Sequence, residues 1–120
     1  MAEYILIVDD QFPVRYMLQT VLWESGYRAQ CATNGWECLK MARSVDKPAL
    51  IVLDCQMPEM TGIEVISMLK KGSITREIPV IIISATEDLK EIAKSRGAHT
   101  VLTKPLDLKA LLEAVQNVLA

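Results

Sequence analysis

The chain has little of several residue types that mark whole classes of protein. It contains three cysteines and one histidine among 120 residues. Cys31, Cys38 and Cys55 are odd in number and match no zinc or redox spacing, so we expect buried free thiols in a reducing compartment. The lone histidine, His99, cannot build a metal site by itself. These shortages argue against a disulfide scaffold and against a zinc or copper centre.

Long apolar runs and an excess of charge of one sign are also missing. No stretch reaches the roughly 18 apolar residues that a membrane span needs, and the acidic start is unlike a signal peptide. The formal net charge of -2 argues against nucleic acid or a membrane surface as the main partner. We therefore expect a cytoplasmic globular protein with one domain spanning residues 1–120.

Five short apolar segments alternate with segments of helical periodicity. The predicted strands cover residues 4–8, 28–32, 49–53, 80–84 and 100–103. Three of them are rich in Ile and Val with little alternation, which is typical of strands buried on both faces. Apolar residues recur at helical spacing between the strands, most clearly over 14–22 and 108–119. The pattern predicts an α/β fold, with a parallel sheet covered by helices on both faces.

Polar side chains stand at the ends of four predicted strands. The segments are Asp9-Asp10, Asp54-Cys55-Gln56, Ser84-Ala85-Thr86 and Lys104-Pro105. In an open α/β sheet, ligands bind outside the carboxyl ends of the strands. We therefore expect three acids, a hydroxyl and a lysine to meet at one edge of the sheet. Each residue alone has an ordinary explanation as a turn or cap, but their shared position is a stronger signal.

This set of residues predicts a particular chemistry. Three crowded carboxylates raise one another's pKa, and a hard cation such as Mg²⁺, which prefers oxygen ligands and phosphate, relieves their repulsion. A carboxylate beside such an ion can attack phosphorus. Lys104 and Ser84 supply a positive charge and a hydroxyl for the phosphoryl oxygens. The set is complete for forming an acyl phosphate, and it needs no separate base.

With these residues in place, the chain resembles the response-regulator receiver family, the CheY-like proteins of two-component signalling. The matching segments run the length of the chain and are ILIVDD at 5–10, LD at 53–54, MPEMTG at 57–62, ISA at 83–85 and TKP at 103–105. The resemblance implies a doubly wound, flavodoxin-like sheet of five strands in the order 2-1-3-4-5, with five helices. It also implies a cis bond between Lys104 and Pro105. Gln11 and the pairs Gly26-Tyr27 and Asn34-Gly35 look most like stand-alone receivers, including the sporulation phosphorelay type.

The resemblance assigns the metal site and the acceptor. Asp54 is similar to the phosphoacceptor of the family and is also implied to be one of the metal-binding residues. Asp10 occupies the position of the direct ligand to Mg²⁺ or Mn²⁺, with Asp9 assisting through water. Gln56 occupies the position whose main-chain carbonyl binds the same ion.

The implied function is a signalling switch rather than an enzyme. A sensor histidine kinase or a histidine phosphotransfer protein would donate to Asp54, and the domain would catalyse its own phosphorylation and dephosphorylation. Ser84 would close on the phosphoryl group and Lys104 would pair with it. The surface of the fourth helix, fifth strand and fifth helix would then change for an unknown protein partner, or the phosphoryl group would be relayed.

Three positions depart from the family pattern. Val101 stands where an aromatic is common, so a rotating aromatic ring cannot report phosphorylation here. Leu106 replaces the usual Phe, and Thr61 stands where Asp is common. We therefore expect coupling to run through Ser84 and loop movement.

Two other classes of function are weighed against the switch. A phosphatase of the haloacid dehalogenase type needs a second Asp two residues after its nucleophile, and Gln56 stands there. A small flavodoxin needs a phosphate-binding loop rich in Ser, Thr or Gly after the first strand. Asp9 and Asp10 would repel a phosphate at that place unless a metal intervened.

Overall fold

The computed structural model describes residues 3–120, in which strands and helices alternate along the chain. The strands are β1 Ile5–Val8, β2 Ala29–Ala32, β3 Leu50–Asp54, β4 Val80–Ser84 and β5 Thr100–Thr103. The helices are α1 Phe12–Glu24, α2 Gly35–Ala42, α3 Gly62–Lys71, α4 Lys90–Ser95 and α5 Leu108–Leu119. A short 3₁₀ turn, Glu87–Leu89, leads into α4.

All five strands form one parallel sheet in the order β2-β1-β3-β4-β5. The predicted fold class and strand order are therefore confirmed. Three strands begin one residue later than predicted, and Asp54 is the last residue of β3 rather than the first residue after it. The reason is its backbone, which continues the ladder and pairs with Ile83 of β4.

The sheet separates two hydrophobic cores. On one face, β1 contributes Leu6 and Val8, which pack with buried residues of α2, α3 and α4. On the other face, β1 contributes Ile5 and Ile7, which pack with α1 and α5. Because successive side chains of a strand point to opposite faces, both sets are buried only if helices cover both sides. Burial on both faces explains why the strand segments of the sequence are almost entirely apolar.

Caps fix the helices that begin at the carboxyl edge of the sheet. The Asn34 side chain accepts a hydrogen bond from the backbone of Glu37 at the start of α2. Thr61 and Glu64 form a reciprocal capping box at the start of α3. The Asp107 side chain caps α5 by accepting a hydrogen bond from the Lys109 backbone N–H. These caps hold the loops after β2, β3 and β5 in defined positions beside the site.

The cysteines were expected to be buried free thiols, and the structure buries two of the three. All three cysteines are free thiols, and Cys38 and Cys55 are buried while Cys31 is half-buried. Burial raises the pKa of the Cys38 thiol to about 12, so this thiol is unreactive.

Within residues 3–120, no helix combines the length and the apolar character that crossing a membrane requires.

Candidate functional site

Three carboxylates meet at the carboxyl edge of the sheet. β1 and β3 are neighbours, and Val8 pairs with Leu53, so the residues that follow them lie side by side. One carboxylate oxygen from each of Asp9, Asp10 and Asp54 lies within 4.8 Å of the other two. Asp9 and Asp54 are buried, whereas Asp10 is exposed. The structure thus brings together the three acids that the sequence placed at this edge.

Burial makes this cluster electrostatically costly. It raises the pKa of Asp54 above its usual value, and the charge of Asp10 adds to the rise while Lys104 opposes it. Burial also raises the pKa of Asp9, with a contribution from the charge of Asp54, although the Gln11 backbone N–H donates to Asp9 Oδ1 at 2.8 Å. Two ionised groups are therefore held where their charge is poorly solvated.

Lys104 follows β5 and reaches the cluster across the end of β4. Its Nζ lies 3.2 Å from Asp54 Oδ1, and 37% of its side chain is exposed. Its backbone N–H donates to the Ser84 carbonyl at 2.8 Å, which fixes the end of β5 against the end of β4. The Lys104–Pro105 bond is cis, as the resemblance implied. The lysine is therefore in direct contact with Asp54 while it keeps access to water.

The Ser84 hydroxyl is fully buried and is bonded within its own loop. Ser84 Oγ donates to the Thr86 carbonyl at 2.9 Å and accepts from the Thr86 N–H at 3.2 Å. The Gln56 side chain links this loop to the acids. Gln56 Nε2 donates to Ser84 Oγ at 3.5 Å, and its backbone N–H donates to Asp54 Oδ1 at 3.4 Å. Ser84 thus connects to Asp54 through Gln56.

Close packing holds the loop between β3 and α3. A Cβ on Gly62 would lie 2.8 Å from both the Asp54 carbonyl oxygen and Cys55 Cα, so only glycine fits at this position. The Gly62 N–H donates to the Cys55 carbonyl at 2.9 Å. Met57 and Met60 anchor the same loop in the core. The backbone that follows Asp54 is therefore fixed from both ends.

The donor set fits a small hard cation. Octahedral Mg²⁺ binds oxygens at about 2.0–2.1 Å, which separates its ligand atoms by about 2.9 Å at adjacent positions and about 4.2 Å at opposite ones. The separations among the three carboxylate oxygens, up to 4.8 Å, are close to that range. The side-chain donors are all oxygens, and two of the carboxylates are buried with raised pKa values. Burial is the main cause of these raised values and the neighbouring acids add to it, so a bound cation would offset both.

Several features at this edge were missed from the sequence. Arg15 Nη1 donates a hydrogen bond to the Asp9 carbonyl at 2.9 Å. Beside it, the rings of Phe12 and Tyr16 stack with centroids 6.1 Å apart, and both side chains are more than 60% exposed. The signal was available, because two aromatics four residues apart share one helix face and lie outside the apolar stripe of α1.

The two departures near β5 have a packing role. Val101 is buried, 8% exposed, within the core shared with α2, α3 and α4. Leu106 is partly buried and packs against the opposite core. Both positions are filled by aliphatic side chains that complete the packing.

The topology and the acidic edge together are those of a CheY-like domain. The chain belongs to the response-regulator receiver family: the family model described as "Response regulator receiver domain" matches residues 5–116. The predicted family is confirmed, and the protein is a receiver-domain signalling protein of two-component systems.

Individual relatives agree with this assignment. Sporulation initiation phosphotransferase F of Bacillus subtilis (strain 168) is 38% identical over 121 residues, covering 99% of this chain and 95% of that protein. Protein PilH of Pseudomonas aeruginosa is 37% identical over 118 residues, covering 97% of each chain. The crystal structure of the signal receiver domain of a signal transduction histidine kinase from Syntrophus aciditrophicus is 34% identical. It has a TM-score of 0.88 and covers 98% of this chain and 90% of that one.

Proposed function

We propose that this domain accepts a phosphoryl group on Asp54 from a phosphohistidine of a sensor kinase or a phosphotransfer protein. The observation that carries the proposal is the contact between a buried carboxylate and a lysine, at 3.2 Å, beside two further acids at the carboxyl edge of the sheet. A carboxylate that crowded is stabilised by any partner that brings positive charge.

In the transfer step, an Asp54 Oδ attacks the phosphorus of the phosphohistidine. The O–P bond forms as the P–N bond of the donor breaks, and the electron pair of that bond leaves with the imidazole nitrogen. No general base is needed because Asp54 is already ionised. Lys104 lies near enough to hold a phosphoryl oxygen. In the return step, water attacks the phosphorus and the Asp54 O–P bond breaks. Its electron pair returns to the carboxylate, and the protons of the water leave with the inorganic phosphate.

The acid cluster is the proposed site of a divalent cation, Mg²⁺ or Mn²⁺. Asp10 and Asp54 would bind it directly, Asp9 would assist through water, and the Gln56 main-chain carbonyl would complete the protein ligands. When bound, the ion neutralises charge on the acids and on the phosphoryl oxygens. The oxygen-only side-chain donors and their spacing support this assignment.

The signal to a partner is proposed to arise from movement at the ends of β4 and β5. A phosphoryl group on Asp54 would draw the Ser84 hydroxyl and Lys104 inward, and Ser84 is bonded to Thr86 at the start of the 3₁₀ turn before α4. Movement there would change the surface formed by α4, β5 and α5. An unidentified protein partner, or a phosphorelay, would read that change.

The donor protein is proposed to dock on the exposed aromatic pair of α1. A donor histidine can reach Asp54 only if its protein covers the edge of the sheet, and Phe12 begins the helix two residues after Asp10. The stacked rings of Phe12 and Tyr16, with Arg15 5.8 Å from the Phe12 centroid, form an exposed patch there. Aromatic and arginine side chains are the usual anchors of protein interfaces.

Incubation with acetyl phosphate and Mg²⁺, followed by intact mass measurement, tests the acceptor. We expect the wild type to gain one phosphoryl group and Asp54→Ala to gain none. Asp10→Ala should lose most of the benefit of added Mg²⁺, and Lys104→Ala should retain some labelling but lose the conformational response. Equal labelling of the wild type and Asp54→Ala would refute the proposal.

A further inference from the structure

The side chain of Gln56 occupies a place that its proposed main-chain role does not explain. It stands after β3, yet its carboxamide reaches across to the loop after β4. Gln56 Oε1 accepts a hydrogen bond from the Ala85 backbone N–H at 3.0 Å, and Nε2 donates to Ser84 Oγ at 3.5 Å. One amide therefore joins the loop after β3, next to Asp54, to the end of β4 and the loop that follows it.

The two groups bonded to this amide, the Ser84 hydroxyl and the Ala85 N–H, lie beside Asp54 in the sheet. Asp54 ends β3 opposite Ile83 of β4, so Ser84 and Ala85 follow directly beside it. The donors nearest to Asp54 are the Lys104 ammonium, at 3.2 Å, and the Gln56 backbone N–H, at 3.4 Å. The Ser84 hydroxyl and the Ala85 N–H are the next donors, at the end of β4. The hydroxyl already donates to the Thr86 carbonyl, and the Ala85 N–H already donates to Gln56 Oε1.

We infer that the Gln56 carboxamide is a positioning group. It competes with the phosphoryl group on Asp54 for the hydrogen bond of the Ala85 backbone N–H, in the loop after β4. The inference rests on the proposed function. A backbone N–H has one hydrogen, so Ala85 cannot donate fully to both Gln56 Oε1 and a phosphoryl oxygen. Phosphorylation must therefore displace the Gln56 side chain, and the Ser84 hydroxyl must leave Thr86.

The energetic balance sets the direction and the size of the effect. Gln56 is exposed, so its amide returns to water when it is displaced. The net cost of losing such a hydrogen bond is modest, and removing the competitor in advance should strengthen binding of a phosphoryl mimic by roughly threefold to tenfold. A residue that only supported the site would have the opposite effect, because its removal would weaken binding.

The test measures the affinity of the Asp54 site for beryllofluoride, a phosphoryl mimic, in the presence of Mg²⁺. Gln56→Met keeps the length of the side chain but removes both hydrogen bonds, and Gln56→Ala is the second variant. Gln30→Met, an exposed glutamine of β2, is the matched control. We expect tighter binding for both Gln56 variants and unchanged binding for Gln30→Met.

Amide hydrogen exchange supplies an independent readout. The Ala85 N–H should exchange faster in Gln56→Met than in the wild type before beryllofluoride is added, and both should be protected afterwards. If the wild type binds but both Gln56 variants bind equally well or more weakly, the competition is refuted while the proposed function stands. If the wild type does not bind, or Asp54→Ala binds as well, the proposed function fails and this inference fails with it.

Discussion

At the scale of single residues, the carboxylate of Asp54 is held in an unfavourable place. It is buried beside Asp9 and Asp10, and a single lysine contacts it at 3.2 Å. Burial raises its pKa despite that lysine. The charge that makes Asp54 reactive therefore lowers the stability of the fold, a common cost at functional sites.

We expect Asp54→Asn to stabilise the metal-free protein at neutral pH. Because the folded pKa of Asp54 lies above its unfolded value, the wild type loses stability as pH rises through the folded pKa. The advantage of Asp54→Asn should be absent below about pH 4, the usual range of an Asp pKa, and should grow as the pH rises to 7. Urea unfolding in chelator at several pH values measures it.

The matched control is Asp88→Asn, which removes an exposed acid from the 3₁₀ turn. Its effect should change little over the same pH range. An advantage of Asp54→Asn that is equal at acidic and neutral pH would contradict the electrostatic explanation. Added Mg²⁺ should shrink the advantage, since the cation neutralises the wild-type cluster.

The positions of the site residues could be predicted from the sequence, but the directions of their side chains could not. Asp9, Asp54 and Lys104 meet because parallel strands of one sheet end at the same edge, a consequence of topology alone. The contacts of Ser84 and Gln56 depend on which of several nearby acceptors each donor binds. That choice is made by loop geometry that no strand pattern encodes.

At the scale of elements, helix α1 shows what periodicity misses. The apolar stripe from 14 to 22 predicts one buried face, but only Leu18 and Leu22 are fully buried and Met17 is 39% exposed. The face in contact with the sheet is narrower than the stripe. Another face of the same helix carries Phe12 and Tyr16, which are both more than 60% exposed, and clustered exposed apolar side chains are typical of interaction sites.

We expect Tyr16→Ala to slow transfer from a protein donor without slowing transfer from acetyl phosphate. The substitution removes an exposed ring from the proposed docking patch and leaves the acids and Lys104 untouched. The rate from a phosphorylated histidine kinase core that labels the wild type should fall roughly tenfold, as for a moderate interface anchor. Timed labelling with both donors separates docking from chemistry.

Val45→Ala provides the control for that measurement. Val45 is 96% exposed and lies in the loop before β3, at the other edge of the sheet from the acids. It should label like the wild type with both donors. A parallel loss with acetyl phosphate in Tyr16→Ala would show that the site itself was disturbed.

At the scale of the whole molecule, two cores share one sheet, and the site lies where their boundary reaches the surface. The site therefore depends on both layers of helices being in place. A ligand that binds only the assembled site stabilises the whole fold in proportion to its concentration. Metal binding and global stability are expected to be linked in this way.

Mg²⁺ should raise the midpoint of thermal unfolding, and chelator should reverse the rise. At a concentration ten times the dissociation constant, the expected gain is about 1.4 kcal/mol. Asp10→Asn should lose most of this gain, whereas Asp46→Asn, another exposed acid, should keep it. A shift of equal size in both variants would indicate a general salt effect and not occupation of the cluster.

The residues of the site lie far apart along the chain, so the ribosome makes them at different times. Asp9 and Asp10 leave the ribosome first, Asp54 follows, and Lys104 comes only after all five strands have been made. A nascent chain that ends within β4 carries the acids without the lysine that contacts them. Such a chain also lacks β5 and α5, so its sheet is incomplete, and a donor should label it far more weakly than the finished chain.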